Sequence, residues 1–359
     1  MRLANILAVI ALLIAYASPY IDPNDYYIPA FFGLSYPIWL VINVFFVVFW
    51  AFTRRKFFLV SLITILVGYS YVLSHFNIRF SDKATGGANQ LKIVTYNVKH
   101  LNESDRDLKK PEASNTIFQL ITSQKPDIVC LQEFYWPKKD YQTFINTFIK
   151  ESGLPYYSMR NYLNYMDGKK MDCLIIFSRY PILNQNSIDY GNRHFALISD
   201  ILFQEDTLRV INTHLQSIYF GFDDYRFVND VTESPGTNDD LKAGSKRIFW
   251  KLRKAFFRRA VQADRVGDEV AKSPYPTILC GDFNDTPASY AYHRASAGLN
   301  DAFSSGTTGY GNTYAGKLPL IRIDHIFYSD HFERINYKSH KKKLSDHHMV
   351  SATLEYLKN

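Results

Sequence analysis

The chain has 359 residues, a net charge of +7 and a hydrophobic fraction of 47%. This length allows more than one domain, and three cysteines without a Cys-x-x-Cys pair exclude a zinc knuckle and a disulfide framework. The positive charge is local, because residues 242–259 hold eight basic residues and no acidic one. The basic balance therefore does not by itself indicate a nucleic-acid enzyme.

The first 80 residues carry few charges and contain three apolar stretches, residues 3–20, 28–52 and 57–75. Each stretch is close to the thickness of a membrane in helical rise, so we expect three transmembrane helices within residues 1–80. The alternative is a signal peptide over the first stretch followed by a helical hairpin, because Arg2 precedes an apolar segment that ends in small residues.

The loops between these stretches predict the orientation of the chain in the membrane. The first loop holds Asp22 and Asp25 and no basic residue, whereas the second holds Arg54, Arg55 and Lys56. The positive-inside rule assigns the basic loop to the cytoplasm. We therefore expect a multi-pass protein of the cytoplasmic membrane, in contact with the lipid bilayer, whose C-terminal domain is extracytoplasmic, on the periplasmic or outer face.

A globular domain follows a short linker. Residues 81–90 are small and polar and include a Gly pair, which is typical of a linker, so we expect the domain over residues 91–359. Strands and helices alternate through this region, which predicts an α/β or α+β fold. The predicted strands are residues 91–98, 127–133, 208–214, 277–279, 321–327 and 349–354, and the predicted helices include residues 112–124 and 141–152.

Polar side chains stand at the ends of these strands. After the strand at residues 277–279, Asp282 and Asn284 are two positions apart, which places both on one face of an extended backbone. Thr286 and Pro287 then predict the start of a helix. A polar floor built from several strand ends is expected of a metal-assisted hydrolytic site. The other strands contribute Asn97, Glu133, His214, Asp324, Asp346 and His347.

The ordered motifs TYNV, DIVCLQE, NTHLQS, CGDFNDTP, RIDHIF and SDHH resemble the endonuclease/exonuclease/phosphatase superfamily. That superfamily includes deoxyribonuclease I-like nucleases, apurinic endonucleases, neutral sphingomyelinases and inositol polyphosphate 5-phosphatases. The resemblance covers roughly residues 90–357 and implies a four-layer sandwich of two packed mixed β-sheets flanked by helices. It also implies a metal-dependent hydrolase of phosphate ester bonds with Mg²⁺ or Mn²⁺ as its cofactor.

The resemblance also assigns roles around the metal. Asn97, Glu133 and Asp346 match the family's metal-site residues, and their oxygen donors suit a hard divalent cation. Two departures from the family pattern are candidate substrate-binding residues. Lys99 brings positive charge close to the site, and Asp172 stands in a block that normally carries a Gly.

Five residues match the family's catalytic positions. Asp324 would hold the imidazole of His347 against the scissile phosphate and favour its protonated form. Asp282 would orient or deprotonate the attacking water. His214 and Asn284 would donate hydrogen bonds to phosphate oxygens, where charge grows in the transition state.

The substrate stays open at this stage. A phosphodiester in a nucleic acid or a phospholipid head group suits the site, and a phosphomonoester of a small or inositol-type molecule is the alternative. A non-catalytic membrane-bound binding module is also an alternative, but it predicts losses among the site residues, and none is lost.

A basic helix is predicted to begin near residue 242 and to run to residue 271. Phe249, Leu252 and Phe256 lie on one stripe at helical spacing, while Trp250 and Phe257 lie on another side among basic residues. Basic residues around exposed aromatic rings suit an anionic membrane surface or a phosphate backbone. The alternative is that the preceding loop, residues 217–244, covers these rings.

Overall fold

The computed structural model describes residues 1–53, 56–77, 87–102, 111–137, 141–165, 170–191, 195–227 except 222 and 225, 238–303, 309–316 and 321–358. Arg54 and Arg55 of the basic loop, and residues 81–86 of the predicted linker, lie outside the described residues.

The N-terminal region is helical, but not as three straight spans. The segment Arg2–Tyr20 is long and apolar enough to cross a membrane by itself. The second and third apolar stretches each fold as two helices that meet at an angle of 68°. The described residues thus contain one candidate span, or three if each bent pair is one span. The helices are α1 (Arg2–Ala17), α2 (Ile28–Leu34), α3 (Tyr36–Phe52), α4 (Phe58–Val67) and α5 (Tyr69–His75).

A buried polar cluster joins α1, α3 and α4. Asn5 Nδ2 donates to Ser61 Oγ at 2.6 Å, and Ser61 Oγ donates to Asn43 Oδ1 at 2.9 Å. Trp50 Nε1 completes the cluster by donating to Asn5 Oδ1 at 2.9 Å. Polar side chains that are satisfied across helices favour one packing register in an apolar medium, so this cluster specifies how the three helices assemble.

The rest of the chain builds two six-stranded mixed sheets. The first has the order β13-β14-β2-β3-β5-β4, and the second has the order β10-β12-β9-β8-β7-β6. The first sheet contains β2 (Gln90–Asn97), β3 (Ile128–Pro137), β4 (Tyr156–Tyr165), β5 (Lys170–Ser178), β13 (Phe332–His340) and β14 (Met349–Tyr356). The second contains β6 (Ile182–Asp189), β7 (Phe195–Phe203), β8 (Asp206–His214), β9 (Thr277–Asp282), β10 (Asn300–Asp301) and β12 (Asp324–Tyr328).

Helices cover the outer faces of both sheets. The first sheet packs on α6 (Pro111–Thr122) and α7 (Tyr141–Ser152), and the second packs on α8 (Asn238–Ala271) and α9 (Tyr290–Ala295). Each central strand therefore buries both of its faces, which explains its nearly continuous apolar sequence. In β9, for example, Ile278 and Cys280 face the other sheet while Leu279 faces the helices. The predicted four-layer sandwich is confirmed.

The N-terminal helices pack directly on this domain. β1 (Phe76–Asn77) pairs with β11 (Gly309–Tyr310), and Arg322 Nη2 donates to the carbonyl of Ser74 at 2.9 Å. Ala288, in the loop after β9, is buried among side chains of α1 and α3. Gly33 of α2 lies so close that a Cβ atom there would overlap the carbonyl oxygen of Ala288. The sandwich and the N-terminal helices thus share one packed interface.

Two local predictions were wrong. Thr286 and Pro287 do not begin a helix; α9 begins at Tyr290, and Ser289 caps it by accepting from the Tyr292 amide. Residues 286–289 form a turn instead, and this turn places Ala288 in contact with the N-terminal helices. Asp324 is the first residue of its strand rather than a mid-strand residue.

We expect Gly33→Val to weaken the interface between the N-terminal helices and the sandwich. The added side chain must displace the backbone at Ala288, and overpacking of this kind costs about 1–3 kcal/mol. The measurement is the midpoint of thermal unfolding of the full chain in detergent. Ile28→Val is the control, because this residue of α2 is exposed. An equal midpoint for both variants would contradict the close approach at Gly33.

Candidate active site

The predicted site residues converge where the two sheets meet at the ends of their strands. In the second sheet, Asp282 is the direct neighbour of both His214 and Asp324 across the strand pairs. In the first sheet, Asn97 closes β2, and Glu133 lies at a register shift in β3. Because β2 and β3 run parallel, and β8 and β9 run parallel, their polar ends collect at one edge of the sandwich.

Asp282 is the centre of the site. Its carboxylate is fully buried, and its Oδ2 accepts from Asn97 Nδ2 at 2.9 Å and from Asn284 Nδ2 at 3.2 Å. Its Oδ1 accepts from the Asn284 amide at 2.8 Å. His214 Nε2 lies 3.6 Å from Asp282 Oδ2 and 3.5 Å from Glu133 Oε1. The charge of Asp282 is thus held in one orientation by donors from both sheets.

His347 and Asp324 form a buried pair next to Asp282. His347 Nδ1 lies 2.9 Å from Asp324 Oδ2, and Nε2 lies 3.6 Å from Asp282 Oδ2. Burial lowers the pKa of His347, but the carboxylates of Asp324 and Asp282 more than offset this and hold the pKa well above 6.5. The imidazole is therefore cationic at neutral pH, and its Nε2–H points toward the site.

The adjacent His348 belongs to a different environment. Its backbone amide donates to the carbonyl of Thr313, and burial lowers the pKa of its imidazole. The two neighbouring histidines thus differ in charge, and only His347 lies against the carboxylates of the site.

Glu133 and Asp346 line the open side of the site. The side chain of each is 25% exposed. Lys99 Nζ lies 3.1 Å from Asp346 Oδ2, and His100 Nε2 lies 3.8 Å from Glu133 Oε2. His100 was not predicted as a site residue, and its only sequence signal was its position directly after Lys99.

The backbone around the site is unusual. Lys99, His100, Glu133 and Asn284 have φ values of 40°, 53°, 50° and 50°. Non-glycine residues adopt such values at an energetic cost, and they cluster at functional sites where the surroundings hold them in place. Gly281 meets a similar constraint, because its φ is 138° and a Cβ atom would overlap the carbonyl of Thr213.

A buried polar layer beneath the site supports it and was missed by the sequence analysis. Gln132 Nε2 donates to Asn212 Oδ1 at 2.7 Å and to Thr95 Oγ1 at 3.0 Å. Asn212 Nδ2 donates to the carbonyls of Leu131 and Ile175. The bonds of Asn212 cross from the second sheet to the first, whereas the bond from Gln132 to Thr95 lies within the first sheet. Gln132 and Asn212 lie inside the DIVCLQE and NTHLQS motifs. The motifs therefore marked these two residues, but their role as supporting hydrogen-bond partners was not predicted.

A second supporting contact links the site to α8. The buried guanidinium of Arg259 donates from Nε to Asp285 Oδ2 at 2.8 Å and from Nη1 to the carbonyl of Gln216 at 3.1 Å. Asp285 follows Asn284, and Gln216 lies two residues after His214. Arg259 therefore fixes the two segments that carry these site residues.

The donor set on the open side fits a hard divalent cation. Glu133 and Asp346 offer carboxylate oxygens, which Mg²⁺ and Mn²⁺ prefer as ligands. Asn97 lies behind them, where its Nδ2 donates to Glu133 Oε1 at 3.1 Å and its Oδ1 accepts from the Lys99 amide. Asp282, Asp324 and His347 are also close enough to one another to hold an ion. We favour the open side, because His347 Nδ1 and Asp324 are already bonded to each other.

The structure brings together all of the predicted catalytic and metal-site residues together with Lys99, while their individual roles stay predictions. Asp172 lies in β5 opposite Tyr135, and its side chain is outside the described part of the chain. The side chain of Asn284 donates from Nδ2 to the carbonyl of Leu215 and to Asp282. In this arrangement Asn284 orients Asp282.

Comparisons with solved structures show the same fold. An endonuclease/exonuclease/phosphatase from Beutenbergia cavernae is 18% identical, with 75% of this chain and 72% of that chain covered and a TM-score of 0.55. The human Nocturnin catalytic domain with bound sulfate is 16% identical, with 77% and 96% covered and a TM-score of 0.53. D. rerio TDP2 in complex with a single-strand DNA product is 16% identical, with 74% and 98% covered and a TM-score of 0.50.

Family models cover both regions of the chain. A domain of unknown function matches residues 1–75. The curated proteins contain no match to the chain. The model of the endonuclease/exonuclease/phosphatase family matches residues 94–347, which is most of the chain and includes every catalytic and metal-site residue named above. The chain therefore belongs to the endonuclease/exonuclease/phosphatase family, whose members are enzymes that hydrolyse phosphoester bonds with divalent metal ions.

Proposed function

We propose that the protein is a Mg²⁺- or Mn²⁺-dependent phosphodiesterase, held in the cytoplasmic membrane by its N-terminal helices, that cleaves a nucleic acid or a phospholipid head group. The observation that carries the chemistry is the division of the site into two parts. A buried, cationic His347 paired with Asp324 lies beside Asp282, while Glu133 and Asp346 remain open to solvent.

The charged residues of the site have complementary tasks. His347 donates from Nε2 to a non-bridging phosphate oxygen, because Asp324 holds its Nδ1 and keeps the ring cationic. Asp282, oriented by Asn97 and Asn284, accepts the proton of the attacking water. Asp282 and His347 are thus already oriented to bind the attacking water and the phosphate, and neither has to rearrange as the reaction proceeds.

The remaining residues bind the metal and the substrate. Glu133 and Asp346, with Asn97, would hold the divalent cation, which would supply positive charge next to the phosphate. His214 lies between Glu133 and Asp282, where it donates to a phosphate oxygen that enters between them. Lys99 forms an ion pair with Asp346, so its ammonium group is close enough to contact an anionic substrate at the metal site.

A phosphomonoester substrate is the second candidate. It carries more negative charge than a diester, and Lys99 adds a partly exposed cation at the mouth of the site. A small or inositol-type phosphate would use the same catalytic residues, so the substrate has to be identified by assay.

The proposed topology is supported by the two ends of the helical region. Arg2 and Lys56 lie near one end, where the Arg2 guanidinium is 5.9 Å from the Phe57 ring centroid. The sandwich packs at the other end, through Ser74 and Gly33. With the basic end in the cytoplasm, the sandwich is extracytoplasmic.

We expect His347→Gln to lower kcat by about 10²–10⁴-fold, because the variant loses the cationic donor at the phosphate. The measurement is hydrolysis of bis-(p-nitrophenyl) phosphate by the full chain in detergent. His348→Gln is the matched control and should retain activity, since this ring lies outside the carboxylate cluster. Equal losses in both variants would refute the assignment of His347.

Glu133→Gln should raise the metal concentration needed for half-maximal activity by about 10-fold or more, because it removes a charged ligand. The assay titrates Mg²⁺ or Mn²⁺ into chelator-treated full-length protein. The control is Glu355→Gln, at the far end of β14.

The same preparations identify the substrate when they are given plasmid DNA, sphingomyelin vesicles or phosphatidylinositol vesicles. Nucleic-acid cleavage should fall steeply with salt, whereas hydrolysis on neutral vesicles should not. Hydrolysis that persists without metal would overturn the proposed mechanism.

Alkaline phosphatase is active only outside the cytoplasm, so we expect it to be active when it is fused after residue 358. A fluorescent reporter that matures only in the cytoplasm should stay dark in the same position. The opposite pair of results would place the sandwich in the cytoplasm and refute the proposed orientation.

A further inference from the structure

One side of α8 is rich in basic and aromatic residues and remains partly uncovered. Lys246, Trp250, Arg253, Lys254 and Phe257 are spaced by four, seven, eight and eleven positions, which places them on one side of a helix. We call these five residues the basic-aromatic strip. Lys246, Trp250 and Lys254 are exposed, and the exposed fraction of Trp250 is 49%.

The strip begins where α8 touches the N-terminal helices. The Phe257 ring packs edge-on against Tyr27, and the Arg253 guanidinium lies 4.7 Å from the Tyr27 centroid and 5.0 Å from the Trp250 centroid. Tyr27 directly precedes α2, which opens the second candidate span. The strip therefore starts beside the first residues of that candidate span and extends about 16 Å along α8 to Lys246.

The described part of the loop that precedes α8 contacts the helix away from the strip. Its described contacts lie on another side of the helix, where Lys251 Nζ donates to the carbonyl of Tyr219 and Arg247 Nε donates to Asp224. Phe227 packs at Gly244 on that same side. Within the described part of the chain, Lys246 and Lys254 have no carboxylate at ion-pairing distance.

Exposed aromatic rings collect at this end of the helices. Tyr20 and Tyr26 are 67% and 54% exposed, and both lie in the connection between α1 and α2. Tyr and Trp favour the head-group level of a bilayer, where the ring is apolar and its polar atom is hydrated. Lys and Arg next to such rings are attracted further to an anionic membrane surface.

We propose that the basic-aromatic strip lies on the surface of the membrane and binds the head groups of acidic phospholipids. This inference rests on the membrane anchoring proposed above but not on the catalytic activity. The strip would make α8 a second membrane contact and fix the tilt of the sandwich. Arg258 lies eight residues after Trp250 and bonds to Gln216, which is two residues after His214. The lipid surface at Trp250 would therefore lie about 12 Å along α8 from this side of the active site.

The test uses the full chain in lipid nanodiscs that contain phosphatidylcholine with a nitroxide near the head group. The chain has four tryptophans, so the difference between wild type and Trp250→Phe isolates the emission of Trp250. We expect this emission to be quenched by the nitroxide lipid, and more strongly when the nanodiscs also contain phosphatidylglycerol. The double variant Lys246→Gln/Lys254→Gln should lose the increase caused by phosphatidylglycerol.

The double variant Lys150→Gln/Lys272→Gln is the matched control, because it removes two exposed charges outside the strip and should keep the increase. Lys150 lies in α7, and Lys272 follows the C-terminal end of α8. Emission that is quenched by aqueous iodide and not by the nitroxide lipid would overturn the proposal. Protection of Trp250 by duplex DNA instead of phosphatidylglycerol would also overturn it and assign the strip to nucleic acid. The test is independent of the catalytic activity, because Glu133→Gln protein should give the same quenching as wild type. It is also distinct from membrane anchoring, because a protein that is not anchored would fail to enter the nanodiscs.

Discussion

The buried carboxylate of Asp282 is the constraint on which the arrangement of the sandwich edge depends. A charge without hydrogen-bond partners in such a position would be strongly destabilising. Here Asn284 bonds to it from its own sheet, and Asn97 bonds to it from the other sheet. The two sheets cannot slide past each other at this edge without breaking these bonds. The same bonds therefore stabilise the fold and orient the residue that we assign to the attacking water.

The contrast between the buried and open halves of the site follows from this constraint. His347 is buried among carboxylates, which strengthens each interaction and raises the pKa of the ring well above its usual value. Glu133 and Asp346 lie outside that region and keep oxygen atoms available to a ligand. A hydrated metal ion and a phosphate can approach from the open half, while the donors that stabilise transition-state charge are already in place behind it.

Much of the site could be predicted because its residues end strands. Asp282, His214 and Asn97 each follow an apolar run, and parallel neighbours bring such ends together whatever the details of packing. The resemblance to a known family supplied the pairing of Asp324 with His347. The bond between Arg259 and Asp285 was not predictable in this way, because the two residues lie on different elements and neither has a local pattern that points to the other. The false helix start at Thr286 has a similar cause, since a distant contact at Ala288 decides the local conformation there.

The interface between the N-terminal helices and the sandwich was also not predicted. It shows that these helices pack on the sandwich through side chains of α8. The linker predicted at residues 81–90 carries no pattern that points to this interface. Phe31 stacks on Phe249 with centroids 4.8 Å apart and meets Phe256 edge-on. The contact with the N-terminal helices thus explains why α8 carries these aromatic rings, of which Phe256 is buried and Phe249 is partly buried.

The N-terminal helices also contact a segment of chain that leads directly to the active site. Ala288, which is buried among these helices, lies six positions after Asp282 at the centre of the site. Asp285, midway between them, is held by Arg259 of the same helix that carries Phe249 and Phe256. The segment from Asp282 to Ala288 is therefore fixed at both ends and in its middle. A shift of the N-terminal helices would displace this segment, so the position of Asp282 depends on the membrane region as well as on the two sheets.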